Sequence, residues 1–156
     1  MADTEYGPGG GPPPLALTDE EVARLLAQQS QAVLATLKRS GLPHLINVLQ
    51  SWDPAARVAR ISTTEGRVKV GHLRRDARAA LHVTAPDFLA YGVAEGSAEL
   101  SAVSTEPGDA TGRELAALRP PFPDPSEEAT FFRQMVADRR LVIRLHVDRL
   151  YARLVA

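Results

Sequence analysis

The sequence predicts a mainly β domain, built as a small β-barrel with peripheral helices. Apolar runs of strand length are joined by short turns, they do not alternate regularly with helices, and the longest run contains two glycines. Short turns favour antiparallel pairing, and glycines inside a strand are typical of strands that bend around a barrel. The same order argues against a doubly wound parallel sheet.

The first 14 residues are rich in Gly and Pro and poor in apolar side chains, so we expect residues 1–14 to form a disordered tail. The remainder, residues 15–156, has the length of one ordinary domain. Thr18 and Glu21 form a capping box at its start, which predicts a first helix ending near Gln29.

Six strands are predicted, and the first three, joined by short turns, would form an antiparallel meander. Gly92 and Gly96 lie inside the fifth strand and predict a bulge or a close backbone approach. The predicted strands are 32–37, 44–52, 58–63, 79–85, 88–103 and 140–154.

Three further helices are predicted between or after these strands. A short basic helix covers 67–75, a second covers 110–118, and Ser126 begins a third that ends near residue 137.

Composition excludes several kinds of protein. Without cysteine the chain can form neither disulfides nor thiolate metal sites. A net charge of -1 argues against a general nucleic-acid or anionic-membrane binder, which needs a basic excess. The N-terminus lacks the basic and apolar regions of a secretion signal, and no apolar run could span a bilayer. We expect a soluble, cytoplasmic protein that uses neither nucleic acid nor membrane as its partner.

The common catalytic and phosphate-binding motifs are missing from the sequence. The four histidines are scattered without metal-ligand spacing, so we predict no metal site. Asn47, the only asparagine, lies in the apolar run "LINVLQ" and needs a partner if it is buried. A backbone group or a ligand would satisfy it.

The segment "STTEGRVKVGHLRRD", residues 62–76, fits two interpretations. Its hydroxyl residues Ser62, Thr63 and Thr64 end a strand, and Arg67 and Lys69 begin the following segment. In one interpretation Thr64 caps a basic surface helix, and the spacing alone favours this one. In the other, the hydroxyls, the cations and the helix N-terminus together bind a phosphate.

Two stretches of sequence resemble a known superfamily. They are "LATLKRSGLPHLINVLQSWDPAARVARISTTEGRVKVGHLRRDARAALHV" and "GVAEGSAEL". The motifs in these stretches follow the same order as in the pyridoxamine-phosphate-oxidase-like split β-barrel proteins. Within that superfamily, they most resemble the B-type flavin/deazaflavin oxidoreductases, which use coenzyme F-420. The spaced pair Arg67-Val68-Lys69 is the form usual in the deazaflavin branch, whereas His72 stands where that branch often has Asn.

The resemblance implies a six-stranded antiparallel split barrel that forms a homodimer, with coenzyme F-420 bound in grooves between the two subunits. It places the cofactor phosphate at Ser62, Thr63, Thr64, Arg67 and Lys69, and the cofactor ring beside His44, Asn47 and Val48. The implied reaction is hydride transfer to an activated double bond of an enone, quinone or tetrapyrrole. It identifies no catalytic side chain, since the cofactor ring carries the chemistry.

Three alternatives stay open at this stage. FMN, with a similar ring and a phosphate, could replace the deazaflavin as cofactor. The barrel could also bind a flavin or tetrapyrrole without turning it over. A nucleic-acid module reading 67–78 is disfavoured, because its arginines are not interleaved with aromatic residues.

Overall fold

The computed structural model of the protein describes residues 15–154, and the tail predicted at 1–14 lies outside this range. The domain boundary at residue 15 therefore stays a prediction. Within the described range, the chain forms eight strands and four helices: β1 Leu15–Ala16, α1 Asp19–Gln28, β2 Gln31–Leu37, β3 Pro43–Leu49, β4 Ser51–Asp53, β5 Val58–Thr64, α2 Val68–Arg75, β6 Arg78–Thr84, β7 Ala90–Leu100, α3 Ala110–Ala117, α4 Pro125–Ala137 and β8 Arg140–Leu154.

The strands form one antiparallel sheet in the order β3-β2-β6-β7-β8-β5-β4, with the short β1 paired to β8. β3 and β4 lie at opposite ends of this order, yet only Gln50 separates them along the chain. The sheet must therefore curl until its two edges come together. This confirms the mainly β, split-barrel fold: six long strands build it, and β1 and β4 are short additions.

Gln50 divides the predicted strand 44–52 into two. Its backbone N–H donates to the Ser30 carbonyl at 2.8 Å, and its Nε2 donates to the Leu26 and Gln29 carbonyls, both at 2.7 Å. These bonds hold the strand break against the end of α1. The predicted three-stranded meander was wrong for this reason: β3 pairs with β2, whereas β4 pairs with β5.

Of the two glycines of β7, Gly96 behaves as predicted. The register with β8 shifts between Glu95 and Gly96, which is a β-bulge. A Cβ atom at Gly96 would lie 1.9 Å from the His146 carbonyl oxygen. At Gly92 it would lie 3.0 Å from Cγ1 of Val22 on α1. Gly96 thus requires close backbone approach, whereas at Gly92 the tight contact is with a side chain of α1; β7 is shorter than the predicted 88–103.

The predicted helices are all present, and two of them start one residue away from the predicted position. α2 begins at Val68 instead of residue 67. α1 has the predicted capping box at Thr18 and Glu21. α4 begins at Pro125 instead of Ser126, because the Asp124 carboxylate accepts the N–H groups of Ser126 and Glu127. Between residues 15 and 154, no helix is long and apolar enough to cross a membrane.

The hydrophobic core fills the barrel and extends to α1 and α2. Every second residue of a strand points into the barrel, and these residues supply most of the core. The helices cover the core from outside. A smaller apolar cluster joins α3 and α4 to Val142 on β8. The fully buried core side chains include Val22, Leu34, Ile61, Val70, Leu81, Leu141, Ile143 and Leu145.

Candidate functional site

The end of β5 and the start of α2 place the predicted phosphate-binding residues next to β8. Antiparallel pairing sets Thr63 opposite Leu141 and Thr64 opposite Arg140. Arg67 is the N-cap residue of α2, and no side chain caps this helix. The interpretation in which Thr64 caps a surface helix is therefore wrong, and the first N–H groups of α2 lack a capping acceptor.

A polar cavity of about 320 Å³ opens at this point of the barrel. It contains six of the eight residues predicted to bind the cofactor, together with Ile46 and Arg140. The predicted residues that line it are Asn47, Ser62, Thr63, Thr64, Arg67 and Lys69.

Three cations of this cavity have little or no compensating charge. Lys69 is only 8% exposed and has no carboxylate within 4.0 Å among residues 15–154. Arg67 is exposed and also has no carboxylate within 4.0 Å among these residues, and Arg140 Nε lies 3.7 Å from the Asp138 carboxylate. Burial lowers the pKa of Lys69, and the charges of Arg67 and Arg140 lower it further. Because a buried, unpaired cation is costly, this cavity favours an anion.

The strand-end hydroxyls add hydrogen-bonding capacity to the same cavity. The Thr63 side chain is 3% exposed, and its Oγ1 has no partner in the described structure. The Ser62 Oγ accepts a hydrogen bond from the Arg140 Nη1 at 3.3 Å. An unpartnered buried hydroxyl beside three cations is suited to donate to a phosphate oxygen.

The other arginines of the segment 62–76 and just beyond it are engaged elsewhere. Arg74 pairs with Glu65 at 3.3 Å, Arg75 donates to the Leu37 carbonyl, and Arg78 pairs with Asp76 at 2.7 Å. Hydrogen bonds from Arg78 lower the pKa of Asp76 to about 2. Arg67 and Lys69 thus differ from the neighbouring cations because neither side chain has a carboxylate or carbonyl partner among the described residues.

Asn47 and Val48 connect this cavity to a larger, open one. Asn47 is exposed, so its amide needs no buried partner, and it lines both cavities. Val48 lines only the second, which measures about 610 Å³ and also contains His82 and Phe88. The two cavities together form a continuous stretch of surface along β3.

His44 lies outside both cavities. Its ring meets that of His72 edge-on, with centroids 5.2 Å apart, and its buried Nδ1 has no partner. His72 Nδ1 is 2.9 Å from the Thr36 Oγ1, and burial, followed by the proximity of His44, lowers the pKa of His72. The predicted contact of His44 with a cofactor ring stays a prediction.

Arg140 is the residue that sequence reasoning missed. In the sequence it is one of 18 cations and simply begins the last strand. Only the pairing of β5 with β8 brings it to Ser62, and no local motif signals that pairing. Nowhere in residues 15–154 do three or more His, Asp or Glu side chains form a group that could hold a metal ion.

Comparison with known proteins gave a relative and several structural neighbours, while no protein-family model matches the chain. The relative is an F420H(2)-dependent biliverdin reductase of Mycobacterium tuberculosis, 29% identical over 133 residues, which are 85% of each chain. A solved F420 reductase superposes with a TM-score of 0.59 at 22% identity, covering 81% of this chain and 93% of the other. A candidate pyridoxamine 5'-phosphate oxidase from Listeria innocua gives 0.57 at 15% identity, covering 84% and 94%.

These matches confirm the resemblance that the sequence indicates. The solved structures share the fold of this chain, and the relative shares sequence over most of its length.

Proposed function

We propose that the protein is an oxidoreductase that uses reduced coenzyme F-420 to reduce an activated double bond of a small organic substrate. The observation that carries the proposal is the meeting of Arg67, Lys69 and Arg140 with an unpartnered buried hydroxyl at Thr63. The similarity to an F420H(2)-dependent reductase supports the choice of cofactor.

The phosphate of the cofactor fits the polar cavity on chemical grounds. Lys69 and Arg67 supply charge, Arg140 supplies a planar guanidinium, and Thr63 supplies a hydroxyl without another partner. The uncapped N-terminus of α2 adds backbone N–H groups near the same cations. Burial lowers the pKa of Lys69, and repulsion from Arg67 and Arg140 lowers it further; a bound phosphate would offset that repulsion.

The cofactor ring would lie along β3, beside Asn47 and Val48, in the larger cavity. Asn47 lines both cavities and would mark the passage from the phosphate to the ring. His44 lies on the same strand but outside both cavities, so its role would be to support β3 from its partly buried face.

When bound, the deazaflavin supplies the hydride, and the substrate double bond takes up that hydride and one proton. The protein would bind and orient both molecules and shield the ring from water. Cavity residues other than the three cations are mainly neutral, so we assign the proton to water and name no catalytic side chain.

We further propose that the protein works as a homodimer. Leu45 and Leu49 of β3 are 65% and 68% exposed, and Phe88 is 77% exposed beside the larger cavity. Large apolar side chains exposed on one edge strand mark an interaction surface. A second copy covering this surface would also enclose the cavity proposed for the ring.

A turnover assay tests the reaction. Reduced coenzyme F-420 is mixed with the protein and with biliverdin, enones or quinones in turn, and reoxidation of the deazaflavin is followed by absorbance. We expect substrate-dependent reoxidation with at least one class. Tight cofactor binding without any reoxidation would instead favour a carrier that binds the cofactor without turning it over.

A further inference from the structure

A third cavity, of about 370 Å³, lies between helices α3 and α4 and strands β4 and β5. The resemblance assigns it no role. It shares Ser62 and Arg140 with the anion-binding cavity, so the two are neighbours on either side of this pair. Its size is within the usual range of small-molecule sites.

One wall of the third cavity is apolar. Leu115 of α3 and Met135 of α4 are buried and pack with Phe131. The Phe131 ring also meets that of Phe122, with centroids 5.2 Å apart. This wall can bury a hydrocarbon or aromatic body against well-packed side chains.

Two cations of this cavity have no close carboxylate partner. The Arg119 guanidinium lies 4.0 Å from the centre of the Phe122 ring, and no carboxylate lies within 4.0 Å of it in residues 15–154. Arg140 is the second: its buried Nε makes no hydrogen bond and has only the long 3.7 Å contact with Asp138. The third cation, Arg60, differs because it pairs with Asp53 and Glu114, both at 3.2 Å.

Gln50 adds an unpartnered polar group at the same cavity. The residue is 6% exposed, and its Nε2 is used by two carbonyls of the α1 end. Its Oε1 is buried and accepts no hydrogen bond from residues 15–154. A buried acceptor without a donor is destabilising, and a ligand N–H or O–H would satisfy it.

We propose that this third cavity binds an amphipathic organic acid. The carboxylate pairs with Arg119 and Arg140, and the apolar body packs on Leu115, Phe131 and Met135. An N–H or O–H group of the same ligand donates to Gln50. The assignment rests on these residues alone and does not depend on which cofactor occupies the neighbouring cavity.

Isothermal titration calorimetry of the cofactor-free protein with 2-naphthoxyacetate tests the charge pairing and the apolar wall. The uncharged match is N,N-dimethyl-2-naphthoxyacetamide, an amide that, like the acid, has no donor for Gln50. We expect the carboxylate to bind at least tenfold more tightly than the amide. Arg119→Gln should weaken the carboxylate at least fivefold and leave the amide unchanged. Arg113→Gln, which removes an exposed cation of α3 that does not line the cavity, is the matched control and should change neither.

A second variant locates the bound probe. Leu118→Trp fills the cavity and should abolish binding of both compounds, with circular dichroism confirming that it folds. Arg67→Ala/Lys69→Ala should leave naphthoxyacetate binding within twofold. Equal affinity for acid and amide, no effect of Arg119→Gln, or loss of binding in the Arg67/Lys69 variant would each overturn the proposal. If the protein binds the cofactor but not naphthoxyacetate, only this inference is contradicted. If it binds naphthoxyacetate but not the cofactor, only the proposed function is contradicted.

Discussion

Arg140 Nη1 donates a hydrogen bond to Ser62 Oγ at 3.3 Å, although the two residues are 78 positions apart in the chain. The pair lies where β5 ends and β8 begins, and both residues line two cavities. On one side are Arg67 and Lys69, and on the other are Arg119 and Gln50. One ordered arginine therefore belongs to both proposed ligand sites.

Replacing Arg67 and Lys69 together by alanine should weaken cofactor binding at least tenfold, about 1.4 kcal/mol. Both side chains line the anion cavity and have no carboxylate partner there. Fluorescence titration of the deazaflavin measures the change. Arg74→Ala is the control, because this cation of the same helix pairs with Glu65 and should leave affinity unchanged. Equal losses in both variants would point to general electrostatic attraction instead of a defined site.

Lys69→Met should stabilise the cofactor-free protein at pH 7. Burial lowers the pKa of Lys69 below its ordinary 10.5, so between the two values the unfolded chain binds more protons than the folded one. Wild-type stability therefore rises with pH across that interval, and the advantage of methionine shrinks as pH approaches 10.5. Urea unfolding at pH 7 and pH 10 measures both differences. A methionine variant that is less stable at pH 7 would contradict the unpaired, buried charge.

Gly96→Ala should destabilise the fold by about 1–3 kcal/mol or more, because the new Cβ meets the His146 carbonyl and the backbone must move. Gly71→Ala is the matched change. At that exposed helical position a Cβ meets nothing within 4 Å, and alanine should stabilise α2 by about 0.5–1 kcal/mol. Thermal unfolding measures both variants. Equal shifts in melting temperature would contradict the close contact between Gly96 and the His146 carbonyl.

Leu45→Glu should convert the proposed dimer into a monomer, since it puts a charge into the exposed apolar surface of β3. Analytical ultracentrifugation should give twice the 16.8 kDa chain mass for the wild type and the single mass for the variant. Ala117→Glu, on the exposed face of α3, adds the same charge elsewhere and should stay dimeric. A monomeric wild type would contradict the proposed homodimer.

Local patterns predicted most of the elements correctly. The capping box of α1 and the bulge at Gly96 depend on residues close in sequence or on the special geometry of glycine, and both are present. The break at Gln50 was missed because its cause is distant: the side chain bonds carbonyls of a helix more than twenty residues earlier. An apolar run that continues through Gln50 gives no sign of this.

The site was predicted where its residues are contiguous. Ser62, Thr63, Thr64, Arg67 and Lys69 lie within one strand end and one helix start, and they line one cavity. Arg140 and the third cavity required the sheet topology, because α3, α4 and β8 come together with β5 only in the folded barrel. The sequence also could not show which arginines find partners, which is what separates Arg67 from Arg74.

Parallel titration of the cofactor-free protein with coenzyme F-420, FMN and FAD tests the central claim most directly. We expect coenzyme F-420 to bind tightest and to lose at least tenfold in affinity in the Arg67→Ala/Lys69→Ala variant. Preferential binding of FMN would keep the fold and the phosphate site but contradict the deazaflavin assignment. Binding of none of the three, by a protein shown to be folded, would contradict the proposed function itself.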